Sequence, residues 1–384
     1  MSLSNKVILP GQTIGIIGGG QLGRMMAIAA KAQGFRIAVL DPTEDSPCGQ
    51  VADYKIIDAY DSLSAIKKLA EVSDVITYEF ENIDAACLDW LTNNANVPQG
   101  SAVLEITQDR VKEKKAIEQA GVKIAPYVVV EKTSDIYSGL AQLGYPAVLK
   151  TARGGYDGKG QYVIKESSQI TEAEKLLNNG VCVLEKWIPF NKEISVIITR
   201  SGKGEATVFP VSENIHLNNI LHESIVPARI SDVAKDLAIE KASKLAENLH
   251  LVGTLAVEMF LTEDEEIYIN ELAPRPHNSG HYTIEACETS QFEQHIRAVC
   301  NWPLASTRLL RPAVMVNILG QHQGQMIDRI PDLQDWKIHL YGKLEPKENR
   351  KMGHATLLRS SVEIALDEIE NTNVWNVQTE KIGG

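Results

Sequence analysis

Two acidic side chains set in apolar surroundings carry the first chemical signal in this sequence. Thr254-Leu-Ala-Val-Glu-Met-Phe-Leu261 is apolar except for Glu258, and Ile267-Tyr-Ile-Asn-Glu271 follows after the solvated acidic turn Glu263 to Glu266. A hairpin centred between Asp264 and Glu265 sets Glu258 directly opposite Glu271, which is unfavourable unless a cation bridges the two carboxylates. With Asn270 beside them they are hard oxygen ligands, suited to Mg²⁺ on nucleotide phosphates. The competing reading turns one Glu to solvent. Directly afterwards, Ala273-Pro-Arg-Pro-His-Asn-Ser-Gly-His281 gathers Arg275, His277, Asn278, Ser279 and His281 at a helix entry. The spacing of His277 and His281 suggests zinc, but Pro276 and Gly280 break helical regularity and no H-E-x-x-H pattern is present. Fixed charge on Arg275 and the helix N-terminus favour an anion instead.

Two glycine loops add phosphate chemistry. Gly18-Gly-Gly-Gln-Leu-Gly23 fits G-x-G-x-x-G between a strand and a helix, and Asp41 at the end of the next strand keeps a dinucleotide reading open beside a ligand-free tight turn. Lys150-Thr-Ala-Arg-Gly-Gly-Tyr-Asp-Gly-Lys-Gly160 lies between two strands and does not satisfy G-x-x-x-x-G-K-[ST]. Four glycines with Arg153 and Lys159 can fold over a triphosphate, and the entropy of ordering such a loop favours a lid ordered by its ligand over an exposed hairpin. Other charges have bland readings. Arg110, Lys112, Lys114 and Lys115 lie on a helix read as largely solvated. Lys347, Arg350 and Lys351 read as a solvated face, Glu79 and Glu81 as a strand end, and His216 and His222 as structural residues or ligands flanking a loop.

These groups need rigid elements to hold them. Thr13–Ile17, Phe35–Leu40 and Val75–Tyr78 read as strands alternating with helices Leu22–Ala32 and Ser62–Leu69, which predicts a parallel sheet with helices on both faces. From about Thr107 come a charged helix to Ala120, a helix capped by Ser134, strands Ala147–Lys150, Gln161–Lys165 and Val181–Ile188, and a capping box at Thr171-Glu-Ala-Glu174. Strands Glu193–Arg200 and Ala206–Val211 precede a helix capped by Ser231, with Val233, Leu237, Ala238, Ala242, Leu245 and Leu249 on its apolar face. Tyr282–Cys300 reads as one helix, and strands such as Ala313–Leu319 and Lys337–Tyr341 as a small β-rich cap.

The chain has 384 residues, which predicts two to four domains, and 44% hydrophobic with 23% charged residues is ordinary for a globular protein. A net charge of −12 disfavours nucleic acid and anionic membranes but permits a small anionic substrate held by local cations. Five cysteines without a C-x-x-C pair suggest a reducing compartment, and there is neither a signal-peptide pattern nor an apolar run long enough to span a membrane. The expectation is a cytoplasmic enzyme or binding protein.

In order along the chain, these motifs resemble the ATP-grasp superfamily. The set Gly18-Gly-Gly-Gln-Leu-Gly-Arg24, Tyr78-Glu-Phe-Glu-Asn82, Gly154-Gly-Tyr-Asp-Gly-Lys-Gly-Gln161, Asn270 to His281 and Arg350-Lys-Met-Gly-His354 is similar to the N5-carboxyaminoimidazole ribonucleotide synthetase family over essentially the whole chain. The resemblance implies an α/β and α+β architecture. Its parts would be a Rossmann-like pre-ATP-grasp domain (1–106), an ATP-grasp small subdomain with the lid (107–188), a large subdomain with the metal site (189–304) and a C-terminal β-rich cap (305–384). It implies ATP contacts at Arg110, Lys150, Tyr156, Asp157, Gly158, Lys159, Gly160, Gln161, Glu185, Lys186, Trp187, Ile188, Glu193, His216, Asn270 and Glu271, with Mg²⁺ on Glu258 and Glu271. Glu185 and Ile188 would form the adenine and ribose hinge, and Glu193 would accept the ribose hydroxyls. The nucleotide substrate would meet Gln21, Leu22, Glu79, Asn82, Tyr156, Arg275, His277, Asn278, Lys347, Arg350 and Lys351. Tyr156, Asp157 and Arg275 are the implied catalytic residues. The implied reaction consumes ATP and bicarbonate to carboxylate aminoimidazole ribonucleotide, in a homodimer. Three alternatives stay beside it: a formate-using glycinamide ribonucleotide transformylase, an NAD-dependent oxidoreductase and a non-enzymatic nucleotide sensor.

Overall fold

The computed structural model describes residues 6–155 and 158–375. The alternating N-terminal region forms a parallel sheet in the order β3-β2-β1-β4, from β1 (Thr13–Ile17), β2 (Arg36–Leu40), β3 (Tyr54–Ile56) and β4 (Val75–Tyr78). β1 is buried at every position, because α1 (Gln21–Ala32), α2 (Leu63–Val72) and α3 (Ala85–Asn94) cover the sheet on both faces. Ser62 and Asp84 cap α2 and α3 with side-chain oxygens.

After α4 (Ala102–Thr107) and α5 (Arg110–Gln119) the chain builds an antiparallel sheet in the order β5-β8-β6-β7. Its strands are β5 (Tyr127–Val130), β6 (Ala147–Thr151), β7 (Gln161–Ile164) and β8 (Cys182–Lys186), with α6 (Thr133–Leu143) and α7 (Ile170–Ala173) packed against them. Two expected caps differ. Asp135, not Ser134, secures the start of α6, its Oδ2 accepting from the Glu131 and Lys132 amides at 3.1 Å each. No capping box forms at Thr171, because α7 begins at Ile170 and tightens into 3₁₀ turns over Glu174–Asn179.

The third sheet has nine strands: β9 (Phe190–Arg200), β10 (Ala206–Val208), β11 (Ser212–Leu217), β12 (Ile220–Val226), β13 (Gly253–Thr262), β14 (Ile267–Ala273), β15 (Ala313–Leu319), β16 (Lys337–Leu340) and β17 (Lys351–Leu358). They run in the order β14-β13-β9-β11-β12-β15-β17-β16, with β10 on β9. The C-terminal strands therefore continue this sheet through the β12–β15 pairing. Helices α8 (Asp232–Asn248), α9 (Thr283–Ala286), α10 (Gln291–Val299), α11 (Gly320–Arg329) and α12 (Val362–Asn371) complete the chain. The buried face of α8 is Ala234, Ala238, Ala242, Leu245 and Ala246, whereas Val233, expected inside, is 69% exposed. The expected Tyr282–Cys300 helix is interrupted: Cys287 bridges to Leu309, and Ser290 caps a new start at Gln291. α10 shares a core with α1, in which Phe292, Ile296 and Val299 meet Met26 and Ile14. No helix among the described residues is long and apolar enough to cross a membrane.

Candidate active site

A cleft lies between the antiparallel sheet and the nine-stranded sheet. It is lined by Arg110, Lys150, Gly158 to Gln161, Glu185 to Ile188, Glu193, His216, Glu258, Asn270, Glu271, His277, Asn278 and Lys351. Tyr156 and Asp157 lie outside the described residues.

The carboxylate pair is built by the β13–β14 hairpin. Leu261 pairs with Ile267, Phe260 with Tyr268 and Met259 with Ile269, then the register shifts by one and Glu258 pairs with Glu271. The turn is thus centred one half-step earlier than the spacing suggests, and a bulge at Asn270 restores the opposition. The bulge also breaks strand alternation. Asn270 and Glu271, adjacent in sequence, both line the cleft, while Ile269 and Leu272 both enter the core. Burial and the facing Glu271 push the Glu258 carboxyl above the ordinary carboxylate range. Two opposed acids whose repulsion a cation would relieve fit a divalent ion that also takes phosphate oxygens and water.

Cations surround this pair. Arg110 meets the Glu271 carboxylate at 3.3 Å, and Lys150 Nζ lies 3.1 Å from Glu185 and 3.3 Å from Asn270 Oδ1. The other Glu185 oxygen holds Lys114 at 3.0 Å. Burial alone would raise the Glu185 carboxyl, but Lys150 and Lys114 outweigh it and hold it near 2. Lys114 and Glu113 are therefore not solvated charge on α5; both are buried, and the Glu113 carboxyl is raised to about 8, chiefly by burial. Arg110, Glu113, Lys114 and Ile117 fall at i, i+3, i+4 and i+7, an inward stripe recognisable once charges are allowed on it.

Apolar residues form the rest of the wall. Val148, Val163, Ile188, Leu221, Phe190 and Phe260 line the cleft, and the Phe190 and Phe260 rings stack at 4.5 Å. In sequence they are indistinguishable from core strand residues. Trp187, 38% exposed, leans toward Phe190. Asn218 and Asn219, at φ 51° and 63°, form the tight β11–β12 turn. A Cβ on Gly158 would lie 2.6 Å from that of Asn219, so the glycine permits close approach of the loop to this turn.

The histidines divide by environment. His216 Nδ1 pairs with Glu193 at 3.1 Å; burial disfavours its charge, but the Glu193 bond prevails and the pKa rises. His277 Nδ1 accepts from the Ser279 amide at 3.3 Å, and its Nε2 lies 3.2 Å from a Glu258 carboxylate oxygen. Burial, then Arg275 and Lys351, keep His277 neutral. His281 instead engages Gln291. His222 lies outside the cleft lining, and burial lowers it to about 4.

The remaining predicted residues lie apart from the main cleft. Arg275 pairs with Glu81 at 2.6 Å, close enough to Glu79 to affect it electrostatically. The first glycine loop is closed from within: the Gly19 amide donates to Asp41 at 2.7 Å and the Gly20 amide to Glu79. Asp41 thus acts as a loop cap, with Tyr60 hydrogen-bonded to it. Leu22 is buried in the core, Gln21 is half-buried and Asn82 is exposed. Of the C-terminal basic residues only Lys351 lines the cleft. Lys347 is exposed and pairs with Glu345, and Arg350 donates to the Glu345 carbonyl.

Comparison with known proteins places the chain in a family. The ribonucleotide synthetase preATP-grasp domain family matches residues 11–108, the ATP-grasp domain family 115–292, and the phosphoribosylaminoimidazole carboxylase C-terminal domain family 313–368. The N5-carboxyaminoimidazole ribonucleotide synthase of Bacillus subtilis (strain 168) is 56% identical over 374 residues, 97% of this chain and 98% of that protein. A solved ADP complex of an N5-carboxyaminoimidazole ribonucleotide synthetase superposes with a TM-score of 0.95 at 59% identity, covering 98% of this chain and 99% of that one. The Aspergillus clavatus synthase in complex with ADP and 5-aminoimidazole ribonucleotide superposes with a TM-score of 0.89 at 30% identity, covering 97% and 99%. This chain belongs to the N5-carboxyaminoimidazole ribonucleotide synthase family of ATP-grasp proteins.

Proposed function

We propose that this protein is an ATP-dependent ligase that carboxylates 5-aminoimidazole ribonucleotide with bicarbonate, releasing ADP and phosphate. One observation carries the reading: a single cleft joins an apolar wall to a cationic, dicarboxylate end. Phe190, Phe260, Val148 and Ile188 would sandwich the adenine. Glu193, oriented by His216, would accept the ribose hydroxyls. Lys150 and Arg110 would neutralise phosphate oxygens, and Glu258 and Glu271 would hold Mg²⁺. When bound, that ion neutralises charge developing on the transferred phosphoryl group.

A bicarbonate oxygen attacks the γ-phosphorus and ADP leaves, giving carboxyphosphate. The substrate's exocyclic amine then attacks its carbon; the N–C bond forms, phosphate departs and the amine loses a proton. The chain's own part is positioning and charge neutralisation. Arg275 supplies fixed positive charge for the anionic carboxylate. His277, neutral, lies against Glu258 and would limit where that carboxylate can turn. Exclusion of water by the loop after Lys150 would protect the labile intermediate. Tyr156, Asp157 and released phosphate are the candidate proton acceptors, and Gln21, Asn82, Lys347 and Arg350 belong to the substrate side of the same proposal. The reading includes a homodimer, which sedimentation velocity tests.

The deciding experiment measures ADP release at controlled bicarbonate. Addition of 5-aminoimidazole ribonucleotide is expected to raise it strongly, while formate with glycinamide ribonucleotide does not. Release that follows formate, or that ignores both nucleotides, overturns the assignment.

A further inference from the structure

The bulge that brings Asn270 and Glu271 together into the cleft sits on β14, the last strand of its sheet. An edge strand has one ladder, so a bulge there is held on one side only, and its unpaired amides need other partners. Those partners are present on both flanks. The Ile269 amide donates to the Lys123 carbonyl at 2.9 Å, where Ile124 also bridges in parallel to Ile269. On the far flank the Leu272 amide donates to Glu113 Oε1 at 2.7 Å. Glu113 is 3% exposed and reaches β14 from α5, one turn after Arg110, which itself meets Glu271.

We propose that Glu113 is a positioning residue for the Glu271 carboxylate, acting through the Leu272 amide without lining the cleft. A one-residue slip in a strand exchanges its two faces. Migration of the bulge past Glu271 would turn that carboxylate into the core cluster around Ile269 and Leu272 and turn Leu272 toward the cleft. Glu113 opposes this by fixing the Leu272 peptide, while Lys123 fixes Ile269. The proposal rests on reading the cleft as a nucleotide–metal site.

The test uses the full chain and Mn²⁺ as probe, with protein-bound Mn²⁺ counted by equilibrium dialysis with the same saturating ADP on both sides of the membrane. Glu113→Met fills similar volume but lacks the acceptor oxygen. It is expected to weaken Mn²⁺ binding by about 10–100-fold, the usual scale for an outer-shell support, while leaving metal-free ADP affinity in place. Glu113→Gln keeps an oxygen for the Leu272 amide and is expected to restore Mn²⁺ binding. If Glu113→Met does not fold, Glu113→Asp replaces it with the same expectation, since its oxygen is withdrawn by one methylene. Wild-type Mn²⁺ affinity in the shortened or apolar variant overturns the proposal, as does a Gln variant equally impaired or a parallel loss of metal-free ADP binding. Wild-type protein that binds no Mn²⁺ with ADP would overturn the nucleotide–metal reading itself.

Discussion

Glu185 is the residue at which burial and charge compete most sharply: a carboxylate 4% exposed, held between Lys114 and Lys150. Its folded pKa is depressed to about 2, so its stabilising contribution is present above the ordinary glutamate range and is lost as pH falls through that range toward 2. The stability gap between wild type and Glu185→Gln, measured by urea denaturation, should be wide at about pH 7, begin to narrow as pH falls below the ordinary glutamate range and close only as it approaches about 2. A gap that stays constant would show that Lys114 and Lys150 do not hold the charge. Across Lys150 from Glu185, Glu271→Gln should cut ADP formation by more than about 100-fold if Glu271 is the direct metal ligand proposed above, because such a loss exceeds the usual outer-shell cost. Near-normal turnover in that variant would remove Glu271 from the metal. The Glu258/Glu271 opposition was readable from an apolar strand bearing a single acid. Lys114 and Glu113 were not, because helix patterns follow apolar residues and these two occupy inward positions whose partners, the Glu185 carboxylate and the Leu272 amide, are distant in sequence.

Among the elements, α8 tests how closely helix and sheet approach. Its inward stripe is mainly alanine at i, i+4 spacing, which lets the helix sit low over β9 and β13. Ala242→Leu should therefore cost about 1–3 kcal/mol by overpacking, whereas Val233→Thr should stay within about 0.5 kcal/mol. Chemical denaturation of both variants checks this, and equal costs would contradict the assigned face. The sequence placed α8 and its Ser231 cap correctly but favoured the bulkier Val233 for the interior, because hydrophobicity outranks size in such a pattern. The same reasoning explains two other differences. A bulge adds one residue without altering composition, so Asn270 looked like part of a regular strand. The break after Ala286 depends on Cys287 bridging Leu309, a partner more than twenty positions away that no local pattern contains.

For the whole molecule, the decisive fact is the continuity of the nine-stranded sheet from the β13–β14 hairpin to the C-terminal strands. The motifs read locally as a β-rich cap, but Ala313–Val316 pairs with Glu223–Val226, and the join lies inside the sheet. Buried polar groups tie it further. Asn278 and Asn317 exchange side-chain amide bonds at 3.0 and 2.9 Å, Asn317 also donates to the Leu221 carbonyl, and Trp375 donates to the Asn317 carbonyl. Removing residues after Arg311 would expose the β12 edge, strip Lys351 from the cleft and leave Asn278 buried without its partner. Unpaired edges invite association, and an orphaned buried amide costs about 1–3 kcal/mol in addition to the lost core around Val314, Val316 and Leu357. The truncated chain is therefore expected to aggregate or to lose near-ultraviolet dichroism, rather than to survive as a smaller nucleotide-binding unit. A monodisperse fragment with native dichroism and ADP affinity would show that the sheet tolerates a cut at β12, and that the C-terminal strands are an attachment to the site instead of part of its frame.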